Sequence, residues 1–187
     1  MAERRDYDAL AQDINLEDIT SCERNAILLR KIRDGDPDLG DRLFIVNDEY
    51  DDGHISDFLV EEEGDDLGWL GYFIGHNEVL EELYIYYLPE GGNQINSFFE
   101  GISQNRSIKS LVLYCDIGID GWSRFGGFLG NNHNLSHLEF QGVMIGHQGT
   151  QHLASALDRM NHNSLKDLSM NGTEIGDEGI AEIVTTL

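Results

Sequence analysis

Apolar residues recur along the chain in an L-x-x-L-x-L rhythm. The clearest copy is Leu165, Leu168 and Met170, followed by a polar turn and the run Ile175-Gly176-Asp177-Glu178-Gly179. The same device stands at Leu135, Leu138 and Phe140, with Ile145, Gly146 and Gly149 behind it. It recurs at Ile108, Leu111 and Leu113, then at Leu80, Leu83 and Ile85, and more faintly at Ile55, Phe58 and Val60. Successive starts lie 25, 28, 27 and 30 residues apart. That period suits a stacked array in which each unit supplies one strand and one helix. Each unit buries its apolar face on its neighbours instead of in a single central core.

The pattern predicts the elements in order. Residues 1–18 are polar and acidic, with Leu10, Ile14 and Leu16 scattered among them, and read as a short helix or a disordered lead-in. A helix starts near Thr20, where Thr20-Ser21-Cys22-Glu23 matches a capping box. Ala26, Ile27, Leu28, Leu29 and Ile32 form its apolar face, and Gly35 with Pro37 ends it. Leu43 to Val46 reads as a strand, Asn47 to Gly53 as an acidic turn, and Ile55 to Val60 as the strand of the first repeat. Helices are then expected from about 67 and over 93–104, 120–130, 147–160 and 177–187. They alternate with strands 80–86, 108–114, 135–141 and 165–171. Asn77, Asn105, Asn132 and Asn161 close the first four repeat helices. Asn tolerates the left-handed conformation that ends a helix, so these residues are expected to be structural. The division implied is 1–54, an acidic segment with a capping helix and a strand, and 55–187, five repeats. The pattern stops inside the fifth repeat's helix, which fits a short array or a piece of a longer one.

Charge changes the picture of partners. Twelve Lys and Arg against 35 Asp and Glu give a net charge of −23. Residues 1–66 hold 21 of the acidic groups and 7 of the basic ones. Such a field repels phosphate backbones and anionic lipid, so neither nucleic acid nor a membrane surface is an expected partner. Cys22 and Cys115 lie far apart and form no C-x-x-C, which fits incidental thiols of a reducing compartment. The first thirty residues carry charges throughout and contain no apolar signal core, so a cytoplasmic or nuclear location, not secretion, is expected.

The repeats at 55–187, above all Leu135–Met160 and Leu165–Leu187, resemble the ribonuclease-inhibitor-like class of leucine-rich repeats. That class also occurs in the activating proteins of the small GTPase Ran and in the sensor arms of NOD-like receptors. The resemblance implies an α/β fold, a right-handed curved solenoid with parallel strands on the concave face and helices on the convex face. The family's Asn or Cys five residues after the second leucine is replaced here by Glu63, Leu88, Asp116, Val143 and Thr173. Turn geometry is therefore less determined than repeat number.

Catalytic signatures are absent: the chain has no H-E-x-x-H, G-x-S-x-G or phosphate-binding G-x-x-x-x-G-K. It is expected to be no enzyme and to use neither cofactor nor metal. His133 and His137 are four apart but straddle a loop and a strand, which is unsuited to a shared ligand face. Asp48, Asp52 and Gly53 fit three positions of a calcium loop, yet Tyr50 and Leu59 occupy positions that need oxygen ligands. The informative side chains are those between the strand leucines, which face the concave surface. They place Asp57, Leu59 and Glu61 on one strand and Glu82, Tyr84 and Tyr86 on the next. Val112 and Tyr114, then Glu139, follow on later strands. One ladder is expected to run Leu59, Tyr84, Val112 and another Glu61, Tyr86, Tyr114, Gln141. A tyrosine patch with a carboxylate rim suits a basic or amphipathic protein segment. The function expected is a non-enzymatic protein-binding scaffold. A regulator of a small GTPase, similar to the Ran-activating proteins, is the alternative.

Overall fold

The computed structural model describes residues 6–60, 66–89, 93–160 and 164–186. Six parallel strands form one sheet: β1 (Arg42–Val46), β2 (Asp57–Leu59), β3 (Glu82–Ile85), β4 (Ser110–Leu113), β5 (His137–Gln141) and β6 (Asp167–Asn171). The helices are α1 (Tyr7–Leu10), α2 (Glu23–Asp34), α3 (Leu67–His76), α4 (Asn93–Ile102), α5 (Gly118–Asn131), α6 (Gly146–Arg159) and α7 (Gly176–Val184). From β2 onward strands and helices alternate, as the apolar rhythm requires. Core packing runs the length of the array between the two layers. Leu83, Ile85, Leu111, Leu113, Leu138 and Phe140 point into it from the strands, and Phe73, Phe99, Phe125 and Leu153 meet them from the helices. Among the described residues no helix is long and apolar enough to cross a membrane.

Strand order departs from chain order at one end. The sheet runs β2-β1-β3-β4-β5-β6, so β1 lies between β2 and the first of the regularly spaced strands. Leu43 and Ile45 pair in register with Leu83 and Ile85 and share their core-facing direction. The strand at Ile55–Val60, read as the first repeat, is in fact the outer edge strand. Its outward edge is closed by Asn25 of α2, which is fully buried. Asn25 accepts the Leu59 N–H at 3.0 Å and donates to the Leu59 carbonyl at 2.6 Å. Leu16 and Ile19, in and just after a short 3-10 turn, are buried in the same core.

Helix ends follow local chemistry, with two differences from expectation. Gly35 caps α2 in the left-handed conformation (φ 60°) as read from the sequence. The helix begins at Glu23, however, with Cys22 as its N-cap; the Thr20 hydroxyl accepts the Cys22 N–H at 3.2 Å instead. The repeat asparagines work through their side chains. Asn77 and Asn132 have extended backbones (φ −80° and −91°), not left-handed ones. Asn77 Oδ1 accepts from the amides of Val79 and Leu80 at 2.8 Å each, and its Nδ2 donates to the Ile32 carbonyl at 2.6 Å. Asn105 repeats this with Ser107 and Ile108, and its Nδ2 reaches the carbonyls of Ile74 and Asn77 in the preceding unit. Asn77 and Asn105 thus shape the turn into a strand and tie their repeat to the one before. Asn132 shapes its turn through Oδ1, which accepts from the Asn134 and Leu135 amides at 2.9 and 2.8 Å, and its buried Nδ2 makes no such tie. Asn161 lies outside the described residues.

Candidate binding face

Along β1, β3, β5 and β6 the residues between the core-facing ones are half-exposed or exposed, so the sheet's second face is available for contact there. On β3 the alternation is Glu82 out, Leu83 in, Tyr84 out, Ile85 in. Register then sets which outward side chains stand together. One row runs Arg42, Glu82, Ser110, His137, Asp167, and a second runs Asp57, Phe44, Tyr84, Val112, Glu139, Ser169. Leu59 stands beside Val46, and Gln141 beside Asn171, in the third row.

The rings form two stacks. Phe44 lies against Tyr84 with centroids 4.8 Å apart and planes 17° from parallel. Tyr86 stacks on Tyr114 at 4.3 Å and 7°, and Tyr50 leans on Tyr86 from the β1–β2 loop at 5.6 Å. The Tyr84 hydroxyl donates to Glu82 Oε2 at 2.8 Å, and Arg42 Nε reaches the same oxygen at 2.9 Å. Glu82 is therefore engaged within the chain and fixes the Tyr84 ring. Burial, followed by the hydrogen bond to Glu82, raises the Tyr84 pKa. Burial and then the Tyr86 hydroxyl push Tyr114 up to about 12. Both phenols stay protonated at neutral pH and can serve as donors. His137 sits between Glu139 at 3.6 Å and Asp167 at 3.1 Å, at the other end of the face.

Several expected contact residues are placed differently. Leu59 does not neighbour Tyr84; β1 intervenes, and Phe44 takes that position. Asp57 is 2% exposed and Val112 is 3% exposed, so both underlie the face instead of presenting it. The Asp57 carboxylate accepts the His54 N–H at 3.0 Å. Glu61 lies outside the described residues. Tyr84, Tyr86 and Tyr114 come together, with Glu139 beside Val112 on the next strand. Phe44 and Tyr50 were missed. Phe44 was legible from the Leu43–Ile45 alternation, which turns the residue between them outward; Tyr50 reaches the face from a loop and had no periodic signal. Among the described residues no three His, Cys, Asp or Glu side chains converge as a metal would need.

The repeated unit, strand then turn then helix with an in-register parallel sheet, is what the comparisons with known proteins also return. No family model matches the chain, and no curated protein matches it. A solved structure described as Leiomodin-1 Actin-Binding Site 2 superposes with a TM-score of 0.60, covering 87% of this chain and 86% of that one at 16% identity. That domain is built of leucine-rich repeats. The chain is a leucine-rich-repeat solenoid. At such identity the likeness speaks for architecture alone. The leucine-rich repeats here also solve their turns unusually. Leu88 and Val143 occupy the family's Asn/Cys position as buried plugs, at 2% and 0% exposure. The Thr173 hydroxyl donates to the Met170 carbonyl at 3.3 Å, and Asp116 accepts the Met144 N–H of the next repeat at 2.6 Å. An apolar plug or a short polar side chain replaces the usual amide network, while strand register is kept.

Proposed function

We propose that the chain is a protein-binding scaffold whose concave face receives a basic or amphipathic segment of its partner, with no catalytic step of its own. The observation that carries this reading is the pair of ring stacks, Phe44–Tyr84 and Tyr50–Tyr86–Tyr114, on the open face of a strongly acidic molecule. Tyrosine gives large contact area at small entropic cost and keeps a hydroxyl for directional bonds. Its ring face attracts Lys and Arg, and the surrounding negative field raises the local concentration of cationic segments. Glu139 supplies a carboxylate beside the rings; Asp57, Val112 and the Arg42-bound Glu82 hold the platform from beneath and beside it.

The test compares the parent with a Tyr84→Ala, Tyr86→Ala, Tyr114→Ala variant of verified fold. Both are used for capture from native lysate at low and high salt, and for co-sedimentation with actin, the one defined probe suggested by the description of the similar structure. A partner that the parent binds in a salt-sensitive way and the variant loses supports the reading. Equal recovery by both proteins moves the site off this face.

A further inference from the structure

Carboxylates on the concave face differ in what holds them. Glu82 is engaged by Arg42 and by the Tyr84 hydroxyl. Asp167 meets His137 Nδ1 at 3.1 Å. Glu139, half-buried at the middle of β5, faces His137 Nε2 at 3.6 Å, which is beyond hydrogen-bond range. Among the described residues no N–H or O–H donates to the Glu139 carboxylate. Strands β4, β5 and β6 contain no Lys or Arg, and Lys109, just before β4, is paired with Glu81. A half-buried carboxylate without a donor is an acceptor with its pairing capacity unused.

The tyrosine stack ends beside it. Tyr50, Tyr86 and Tyr114 stand in sequence, and Tyr86 covers one ring face of Tyr114 with planes only 7° apart. Parallel rings on adjacent strands direct the other face of Tyr114 towards β5. No ring continues the stack there: one step past the Leu113–Phe140 pair, the residue beside Tyr114 is the exposed Gln141. Glu139 lies diagonally across from Tyr114, near enough for its charge to help hold the phenol protonated.

We propose that the corner between Tyr114 and Glu139 is an arginine site: one arginine of the partner segment lays its guanidinium on the β5-facing side of Tyr114 and donates to Glu139. The site lies within the concave face proposed above and rests on that reading. Each alternative side chain satisfies only part of the corner. An aromatic residue would extend the stack and leave Glu139 without a donor. A lysine would pair with Glu139, but its compact, strongly hydrated ammonium has no plane to lay on the ring. An aspartate, glutamate or phosphate would be repelled by Glu139 and by the field of the molecule. Arginine alone offers a plane for the ring and a fork of N–H donors for the carboxylate. Strands spaced about 4.8 Å apart leave one layer for such a plane next to Tyr114. Gln141, exposed at the rim, has an amide oxygen that can take a further guanidinium N–H.

The probes are short glycine–alanine peptides carrying a single central arginine, lysine or citrulline, titrated into the full chain at physiological salt and followed by amide NMR. The arginine peptide should give saturable shifts centred on Tyr114, Glu139 and Gln141, and bind at least about fivefold more tightly than the lysine or citrulline peptide. Glu139→Gln, which keeps the shape of the side chain, should lose that preference. Tyr114→Leu, which fills the position without a ring face, should bring the arginine peptide down to the affinity of the lysine one. Glu178→Gln on exposed α7 removes the same net charge at a distance and should bind as the parent does. Equal affinity for arginine and lysine, full binding by Glu139→Gln, shifts centred elsewhere, or no saturable shift would each overturn the proposal. The concave-face reading is judged separately, by capture with the tyrosine triple variant. A partner lost by that variant but fully kept by Glu139→Gln would leave the concave face standing and overturn the arginine site. Arginine-selective shifts at Tyr114 and Glu139 with no partner captured would support the arginine site and count against the scaffold reading alone.

Discussion

At the scale of single residues, Asp57 shows that a strand position predicted to meet a partner can instead be a buried charge. It sits on the edge strand at 2% exposure, accepts the His54 amide, and lies near Asp52 and Arg24. Burial first, and then its hydrogen bond with Asp52, push its carboxyl up to about 6 from an ordinary value of 3.8. Between those values the folded chain keeps a proton that the unfolded chain has released. The contribution of this group to stability is therefore full below the unfolded value, is lost as pH rises through about 6, and stays low above it. Asparagine keeps an oxygen for the His54 amide, offers Asp52 a donor and carries no charge. Asp57→Asn is expected to melt at a higher temperature than the parent at pH 7.5. The gap should close below about pH 4, where both side chains are neutral. Thermal melts across pH check this, and parallel curves for the two proteins would show that the ionised carboxylate is accommodated without penalty.

At the scale of elements, the α3–α4 contact depends on two glycines. A Cβ at Gly71 would fall inside van der Waals contact with the Phe98 backbone, and one at Gly101 would do the same at the Gly71 carbonyl. The helices meet backbone to backbone, so Gly71→Ala must separate them. It is expected to destabilise the fold by about 1–3 kcal/mol in urea titrations. Gly127→Ala in α5, where an added methyl meets nothing within 4 Å, should gain up to about 1 kcal/mol. Equal effects at the two sites would mean that propensity, not packing, governs both. The helices and strands themselves were largely legible, because the leucine rhythm states which side of each element is buried. Strand order was not. Leu43 and Ile45 stand in register with Leu83 and Ile85, and the same offset of forty residues along the sequence matches Leu80 with Gly40, so the first apolar position of the β1 unit is a glycine and the motif is disguised there. The hook that returns β2 to the outer edge depends on Asn25, a residue with no periodic signature. The ring stacks were half legible: Tyr84, Tyr86 and Tyr114 follow from alternation, whereas Phe44 needed the correct strand order and Tyr50 needed the loop.

At the scale of the molecule, a solenoid has no single core, and its stability is close to a sum of unit and interface terms. Units at the two ends therefore depend on how each end is closed. The β2 end has a hydrogen-bonded edge and a buried cap, and the β3–β4 units beside it place Leu83, Ile85, Leu111 and Leu113 at 0–1% exposure. The β6–α7 unit buries little besides Ile183 and Gly179 on its helix and leaves Leu168 and Met170 half-open. In the 187-residue chain, removing it exposes one interface, whereas opening a central unit breaks two. Native-state hydrogen exchange should therefore show a gradient along the chain. Amides of residues 167–184 are expected to exchange first, through a local opening that leaves β3 and β4 protected, and those of 82–113 last, near the free energy of global unfolding. Ile180→Ser and Val184→Ser, which alter exposed side chains, should leave that gradient intact. Thr150→Asp in the α6–α7 interface should steepen it, because it puts a charge under Gly179 where the hydroxyl now bonds the Gly146 carbonyl at 2.8 Å. Uniform protection from β3 to α7 would show instead that the array unfolds as one cooperative block and that its open end carries no thermodynamic weakness.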